Sequence, residues 1–213
     1  MDEIIEKILK MLEHQNCSSR YLLDKLKIEK DELNNILNYM KKNKLIYLNS
    51  NNKISKVCDG QIVGRIDSDS KGKKFVRYKN SKYFIEVDNL HTALKNDLVV
   101  CDVYNQDFAN VLGIIERKNK RLVCEVIRKH NKLAIAPFNV GCELSIMPGD
   151  KDVLKHYVEG DRIIVELENK VDEDNVLVIH SAKRIGHKSD PKSDEVAIAI
   201  SKDFDVEFSP EVI

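Results

Sequence analysis

The chain has 213 residues, 42% of them hydrophobic and 33% charged, and its 35 basic and 35 acidic side chains cancel to a net charge of zero. That length exceeds one small barrel and suits one to three compact units with buried cores under a charged surface. The acidic start Met1-Asp2-Glu3 does not read as a secretory leader, and no apolar run approaches the roughly 20 residues of a spanning helix, so a soluble cytoplasmic protein without a membrane partner is expected.

In chain order, Ile4, Ile5, Ile8, Leu9, Met11 and Leu12 recur at helical spacing and predict a helix over about 2–14. Ser18 or Ser19 is a candidate N-cap for a second helix through Leu22, Leu23 and Leu26. Leu33, Ile36, Leu37 and Met40 predict a third, with acids at its start and Lys41, Lys42 and Lys44 at its end, as the helix dipole favours. Strands over 45–48 and 53–56 flank an Asn-rich turn. Three helices and a hairpin over 1–56 make a winged helix-turn-helix pattern.

From Gly60 the texture changes to short β runs: 61–66, 74–78, 83–87, 98–104 and 110–116, then 121–128, 133–137, 144–147, 162–168 and 176–182. Five strands in about 60 residues is the size of an oligonucleotide-binding (OB) barrel, so two such barrels are expected, over 57–118 and 119–185. They read as a repeat: Lys95-Asn96-Asp97-Leu98-Val99-Val100 resembles Glu159-Gly160-Asp161-Arg162-Ile163-Ile164. The fold class expected is therefore α+β and multidomain. Residues 186–213 carry 3 basic and 7 acidic groups and read as an acidic linker, with Val196, Ile198 and Ile200 either alternating as a strand would or docking on a neighbour.

The zero net charge conceals local density. Between Arg65 and Lys82 seven basic residues face Asp67 and Asp69, a net +5; between Arg117 and Lys132 seven face Glu125, a net +6. A polyanion senses such clusters within a Debye length of about 8–10 Å. In Lys71-Gly72-Lys73-Lys74-Phe75-Val76-Arg77-Tyr78, strand alternation puts Phe75, Arg77 and Lys79 on one face and Lys74, Val76 and Tyr78 on the other. An aromatic ring beside cations on an exposed face stacks bases and meets phosphates. Candidate nucleic-acid-binding residues are Lys73, Lys74, Phe75, Arg77, Tyr78 and Lys82, with Arg128, Lys129 and Lys132 of a second basic hairpin. His91 and the helical lysines Lys30, Lys41 and Lys42 are weaker candidates.

Chemistry-bearing motifs are missing: no Gly-rich phosphate loop, no His-Glu-x-x-His and no nucleophile elbow. Asp172-Glu173-Asp174 reads as a turn rather than as carboxylates converging on metals. The five scattered cysteines lack metal-site spacing and read as reduced core thiols. No catalytic residue, metal ligand or cofactor is expected.

The order of parts resembles the ribonuclease R-type exoribonucleases of the RNB family. Gly60-Gln61-Ile62-Val63-Gly64-Arg65-Ile66, Lys74-Phe75-Val76, Tyr83-Phe84-Ile85 and Ala93-Leu94-Lys95-Asn96-Asp97-Leu98-Val99 are similar in order to that family's first cold-shock domain. Gly113-Ile114-Ile115-Glu116-Arg117 looks like the junction to the second. Ile185-Gly186-His187-Lys188-Ser189-Asp190-Pro191, with Phe208-Ser209-Pro210-Glu211-Val212, resembles the segment leading into the catalytic domain. The resemblance implies a winged helix, two cold-shock-type OB domains and a catalytic domain that these residues do not include. It also implies single-stranded RNA as partner, structured RNA engaged through the winged helix, and association with a 3′→5′ hydrolytic domain, to which magnesium would be confined. Lys71-Gly72-Lys73-Lys74-Phe75 stands where the family has more aromatics, so stacking should contribute less and phosphate attraction more. The expected function is thus the RNA-binding part of such an enzyme. The alternative is a winged-helix regulator that binds duplex DNA and uses its barrels for protein docking.

Overall fold

A computed structural model describes residues 1–118, 120–138, 146–148, 151–167, 177–179 and 181–201, which fall into two compact units, 1–118 and 120 onward. In the first, α1 (Asp2–His14), α2 (Ser19–Leu26) and α3 (Lys30–Lys42) precede a hairpin of β1 (Ile46–Asn49) and β2 (Ile54–Lys56). The apolar stripe predicted for each helix is what it buries: Ile5, Ile8 and Leu12 from α1, Leu22 from α2, and Leu33, Ile36, Leu37 and Met40 from α3 close one core with Ile46 and Ile54. Ser18 is the N-cap of α2, its Oγ accepting from Tyr21 N at 3.1 Å.

The rest of this unit is a closed five-stranded, OB-like barrel: β3 (Ile62–Ser68), β4 (Lys74–Tyr78), β5 (Ser81–Ile85), β6 (Leu98–Tyr104) and β7 (Phe108–Glu116). The neighbour order is β7-β5-β4-β3-β6, and β6 pairs back with β7 to close the ring. β5 and β7 run parallel and the other barrel pairs antiparallel. Inside lie Ile62, Ile66, Val76, Ile85, Val99, Cys101, Ala109 and Val111. Burial pushes the Cys101 thiol up to about 12, so it acts as a small apolar side chain. The helical part is joined to the barrel through β1, which pairs with β7 at Leu48↔Ile114 and Asn49↔Gly113. A Cβ on Gly113 would overlap the Leu48 carbonyl oxygen and come within 2.5 Å of Tyr47 Cδ2, so this approach requires glycine.

The second unit is a six-stranded sheet ordered β12-β10-β9-β8-β11-β13. Its strands are β8 (Arg121–Lys129), β9 (Lys132–Pro137), β10 (Ile146–Pro148), β11 (Asp161–Glu166), β12 (Leu177–Ile179) and β13 (Ala182–His187). The single strand expected over 176–182 is instead two: β12 pairs parallel with β10, and β13 antiparallel with β11. The strand read from Val196, Ile198 and Ile200 is replaced by α4 (Pro191–Ser201). Local chemistry at the start of the segment outweighs the two-residue alternation: Pro191 stands at the first helical position, and Asp190 Oδ1 accepts from Lys192 N at 3.0 Å. Ser193 and Ala197 are buried, and Asp194 pairs with Arg162 at 3.2 Å, so residues 191–201 are a docked helix within the stretch read as a linker. The turn expected at 171–175, and Cys142, lie outside the described residues. Of the other cysteines Cys17, Cys101 and Cys124 are buried and Cys58 is exposed.

The Asp repeat marks one device used twice. Asn96 and Gly160 both have positive φ, +72° and +94°; the aspartate after the first immediately precedes β6, and the aspartate after the second begins β11. Asp97 Oδ2 accepts from Leu94 N and Asp161 Oδ2 from Val158 N, each at 2.9 Å. Each also pairs with an arginine. Arg117 Nη1 lies 3.1 Å from Asp97 Oδ2, and Arg184 Nη2 lies 2.7 Å from Asp161 Oδ1. The first pair is almost wholly out of water, its side chains 2% and 0% exposed. Lys118 N donates to Asp97 Oδ1 at 3.0 Å, and Arg117 Nη1 to the Thr92 carbonyl at 3.1 Å. Burial pushes the Asp97 carboxyl up and the Arg117 guanidinium down from their ordinary ranges, and each charge opposes the shift of the other.

Asp97→Ala would leave Arg117 buried without its carboxylate. The expected loss is about 3–5 kcal/mol in urea denaturation, and the double change Asp97→Ala/Arg117→Met should recover part of it. Gly113→Ala should lower stability by displacing β1 from β7, seen as a lower midpoint in urea denaturation with an unchanged slope.

Candidate nucleic-acid interface

Most of the first basic cluster lies on the β4–β5 hairpin, where cross-strand register decides which side chains meet. Phe75 pairs with Phe84, and Arg77 with Lys82. Phe84 pairs in turn with Phe108 of β7, and Phe108 with Tyr104 of β6. Partners in register share a face, and Val76 and Ile85 occupy the interior, so these four aromatics form a row across the outer face of the barrel. Ring centroids are 6.3 Å apart for Phe75–Phe84, 6.4 Å for Phe84–Phe108 and 6.1 Å for Phe108–Tyr104, the last pair stacked at 29°.

The row is roofed with cations at one end. Lys82 Nζ lies 3.8 Å from the Phe75 centroid and 4.8 Å from that of Phe84, and the Arg77 guanidinium lies 5.0 Å over Phe75. This corrects one expectation. Phe75 faces outward as alternation requires, but it is 2% exposed, because Lys82 and Arg77 lie over the ring and Phe84 flanks it edge-on. Phe84, Phe108 and Tyr104 are only half-buried.

Lys74 and Tyr78 share the opposite, Val76 side of β4, and Tyr78 packs against the interior cluster, so neither joins the row. Lys73 is exposed in the β3–β4 turn. That turn is tied by Asp69 Oδ1, which accepts from Lys71 N and Lys73 N, both at 2.9 Å. Desolvation pushes the Asp69 carboxyl up, but these two amides, with Lys82 and Lys73 nearby, outweigh it and leave it below the usual carboxylate range.

At its other end the row meets a polar network. Tyr104 Oη accepts from Asn89 Nδ2 at 2.7 Å and donates to Glu86 Oε2 at 3.1 Å; Asn89 Nδ2 also donates to Glu86 Oε2 at 3.5 Å. Desolvation first, and then the Glu86 carboxylate, pushes the Tyr104 phenol up, which keeps it a donor at neutral pH. Asn110, two residues beyond Phe108 on β7, buries its amide oxygen without a hydrogen-bond partner.

The second cluster sits on the β8–β9 hairpin. Lys129 and Lys132 are cross-strand partners flanking His130 and Asn131, whose φ of +49° and +61° make the tight turn. Arg128 Nε is 3.2 Å from Glu159 Oε2, both side chains about half exposed, so part of its charge is already matched. On α3, Lys30 and Lys42 are exposed, while desolvation pushes the half-buried Lys41 amine down. Among the described residues no three His, Cys, Asp or Glu side chains converge on a possible metal position. Among the described residues, too, no helix is long and apolar enough to cross a membrane.

Sequence reasoning missed Phe108, Tyr104, Glu86 and Asn89. Local alternation gives each residue's face within its strand. The parallel β5–β7 pairing that aligns Phe84 with Phe108 is set by barrel closure, and no local pattern signals it.

No protein-family profile and no curated protein matches the sequence. Solved structures do match the fold. A Mycoplasma genitalium RNase R in complex with ribose methylated single-stranded RNA is similar at TM-score 0.59 and 18% identity, over 71% of this chain and 26% of that one. Its apo form gives 0.57 and 18% over the same shares. Yeast Ssd1, a pseudonuclease, gives 0.51 and 10%, over 66% of this chain and 25% of that one. The chain thus matches about a quarter of the length of these proteins, and at such identities the likeness is one of fold.

A depressed carboxyl contributes order above its unfolded value, and that contribution is lost as pH falls through the folded value. Amide exchange at Lys71 and Lys73 should therefore quicken, relative to the intrinsic rate, as acid protonates Asp69. Asp69→Ala should show the fast behaviour already at neutral pH.

Proposed function

We propose that this chain binds single-stranded RNA across the outer face of the first barrel, as the RNA-gripping part of a ribonuclease R-like system. The observation that carries this reading is the row Phe75–Phe84–Phe108–Tyr104 with Lys82 and Arg77 over one end. Bases stack on such rings at about 1–3 kcal/mol each whatever their identity, and the cations meet the phosphates that link them. Lys82 covers Phe75 by a flexible four-carbon stem, so a phosphate can draw the ammonium aside and a base can take its place over the ring. The fold likeness to RNase R structures, one of them holding single-stranded RNA, supports the choice of partner.

In this reading 1–56 is a winged helix that engages structured RNA, 57–118 and 119–185 are two cold-shock-type OB domains, and residues from 186 lead toward a catalytic domain. The pairing order of the second sheet supports a second OB domain, because β8, β9, β10 and β11 follow the same neighbours as β3, β4, β5 and β6, with the last strand split into β12 and β13. The second basic hairpin, with Arg128, Lys129 and Lys132, offers phosphate contacts within its own unit, and Lys73 contributes from the loop before β4 of the first barrel. Hydrolysis and its magnesium belong to the catalytic domain, and this chain feeds the strand 3′ end first without cutting it. A cytoplasmic location accords with such a role.

Fluorescence anisotropy with a labelled oligo(A) tests the proposal. Phe84→Ala and Phe108→Ala should each weaken binding roughly 5- to 150-fold, matching the loss of one stacked base. Arg77→Gln with Lys82→Gln should flatten the log Kd against log salt plot by about 1.4, at roughly 0.7 per phosphate contact on a single strand. Affinity that ignores salt would overturn the mechanism, and preferential competition by duplex DNA would favour the winged-helix regulator instead. Shortened RNA after incubation with magnesium would refute the assignment of hydrolysis to another domain.

A further inference from the structure

The two ends of the aromatic row differ in chemistry, and the difference bears on which base is read. Lys82 and Arg77 cover Phe75, whereas Phe108 and Tyr104 are half-exposed and stacked. A strand lying along the row finds its phosphate partners at the Phe75 end and open rings at the Tyr104 end. Beside that open end stand a carboxylate, Glu86, and a buried, unpartnered amide oxygen, Asn110 Oδ1, on the same face of β7 as Phe108.

Glu86 is held as well as exposed. The Tyr104 hydroxyl and the Asn89 amide both donate to its Oε2, and Asn89 is braced in turn against the Tyr104 hydroxyl. These bonds fall on one oxygen, so Oε1 keeps its accepting capacity. A base stacked over Tyr104 brings its outer edge toward the phenol oxygen, and Glu86 stands 3.1 Å beyond that oxygen.

We propose that Glu86, oriented by Tyr104 and Asn89, reads a guanine at this end of the row. The inference rests on the RNA-binding reading above and adds base selectivity to it. An ionised carboxylate accepts and cannot donate. On its Watson–Crick edge guanine presents two adjacent donors, N1–H and the N2 amino group, which converge on Oε1, the oxygen that Tyr104 and Asn89 leave with both lone pairs. Adenine and cytosine offer an amino donor next to an acceptor nitrogen. Uracil offers one N–H between two carbonyl oxygens, both of which the carboxylate repels. Splayed bases of single-stranded RNA are read on this edge, and at a solvent-exposed position such as Glu86 the contact should discriminate roughly five- to tenfold.

The test measures Kd of the full chain for three labelled nonamers: all-uridine, the same with one central guanosine, and the same with inosine there. Inosine keeps N1–H and lacks the amino group. The guanosine nonamer should bind about five- to tenfold tighter than all-uridine, with inosine between them. The ratio should fall to near one in Glu86→Gln, and part of the way in Tyr104→Phe, which keeps the stacking ring and removes the hydroxyl that orients the carboxylate. Equal affinity of the wild-type chain for the uridine and guanosine nonamers, or a preference that survives Glu86→Gln undiminished, would overturn this inference alone. Failure to bind any nonamer would overturn the RNA-binding reading and the inference together.

Discussion

A carboxylate taken wholly out of water at the residue just before β6 is the constraint on which the first unit depends. Asp97 has given up its hydration and must recover it from the protein, which it does through Leu94 N, Lys118 N and the Arg117 guanidinium. These partners come from the loop before β6 and from the chain just past β7. Satisfying one side chain therefore fixes where β6 starts and where β7 ends, the two strands whose pairing closes the barrel. The positive φ at Asn96 sets the turn that delivers the carboxylate, and Gly160 does the same before Asp161. The two settings differ in burial: Arg117 is sealed, whereas Arg184 is 54% exposed, so the first pair has more to lose when one partner is removed.

Closure of the barrel in that register creates the outer face. Each aromatic of the row comes from a different strand, and adjacent rings stand 6.1–6.4 Å apart because their backbones are hydrogen-bonded neighbours. Charge is then distributed along the row. Arg77 and Lys82 are drawn over Phe75 by cross-strand pairing, and Glu86 follows directly from the end of β5, where Tyr104 and Asn89 hold it. One face thus offers cations for phosphate, rings for bases and an acceptor for base edges. The second unit has a basic hairpin but no comparable row among its described residues; Phe138 lies under Arg162 at 4.1 Å, and Arg162 is engaged by Glu125 and Asp194.

Much of the architecture was legible before any coordinates. The three helices, the hairpin and most strands follow from apolar spacing of 3.6 or 2 residues, and the Asp97–Asp161 repeat pointed to a shared structural device. Several readings were corrected by the structure, two of them for identifiable reasons. The alternation Val196-x-Ile198-x-Ile200 was too short to outweigh the Asp190-Pro191 helix start. Phe75 was correctly put on the outer face but expected to be open, because face assignment says nothing about which neighbours from other strands reach across a ring.

The sequence by itself determined most of the elements, their inner and outer faces, and the density of cations on the β4–β5 and β8–β9 hairpins. These properties reside in residues a few positions apart, where spacing and side-chain chemistry act directly. Tertiary structure alone decided that Phe84 meets Phe108, that Lys82 roofs Phe75, and that Glu86 is tied to Tyr104, 18 residues away. Such meetings depend on the register between strands, and register is selected by the whole barrel at once, as interior side chains pack and the buried carboxylate finds its partners.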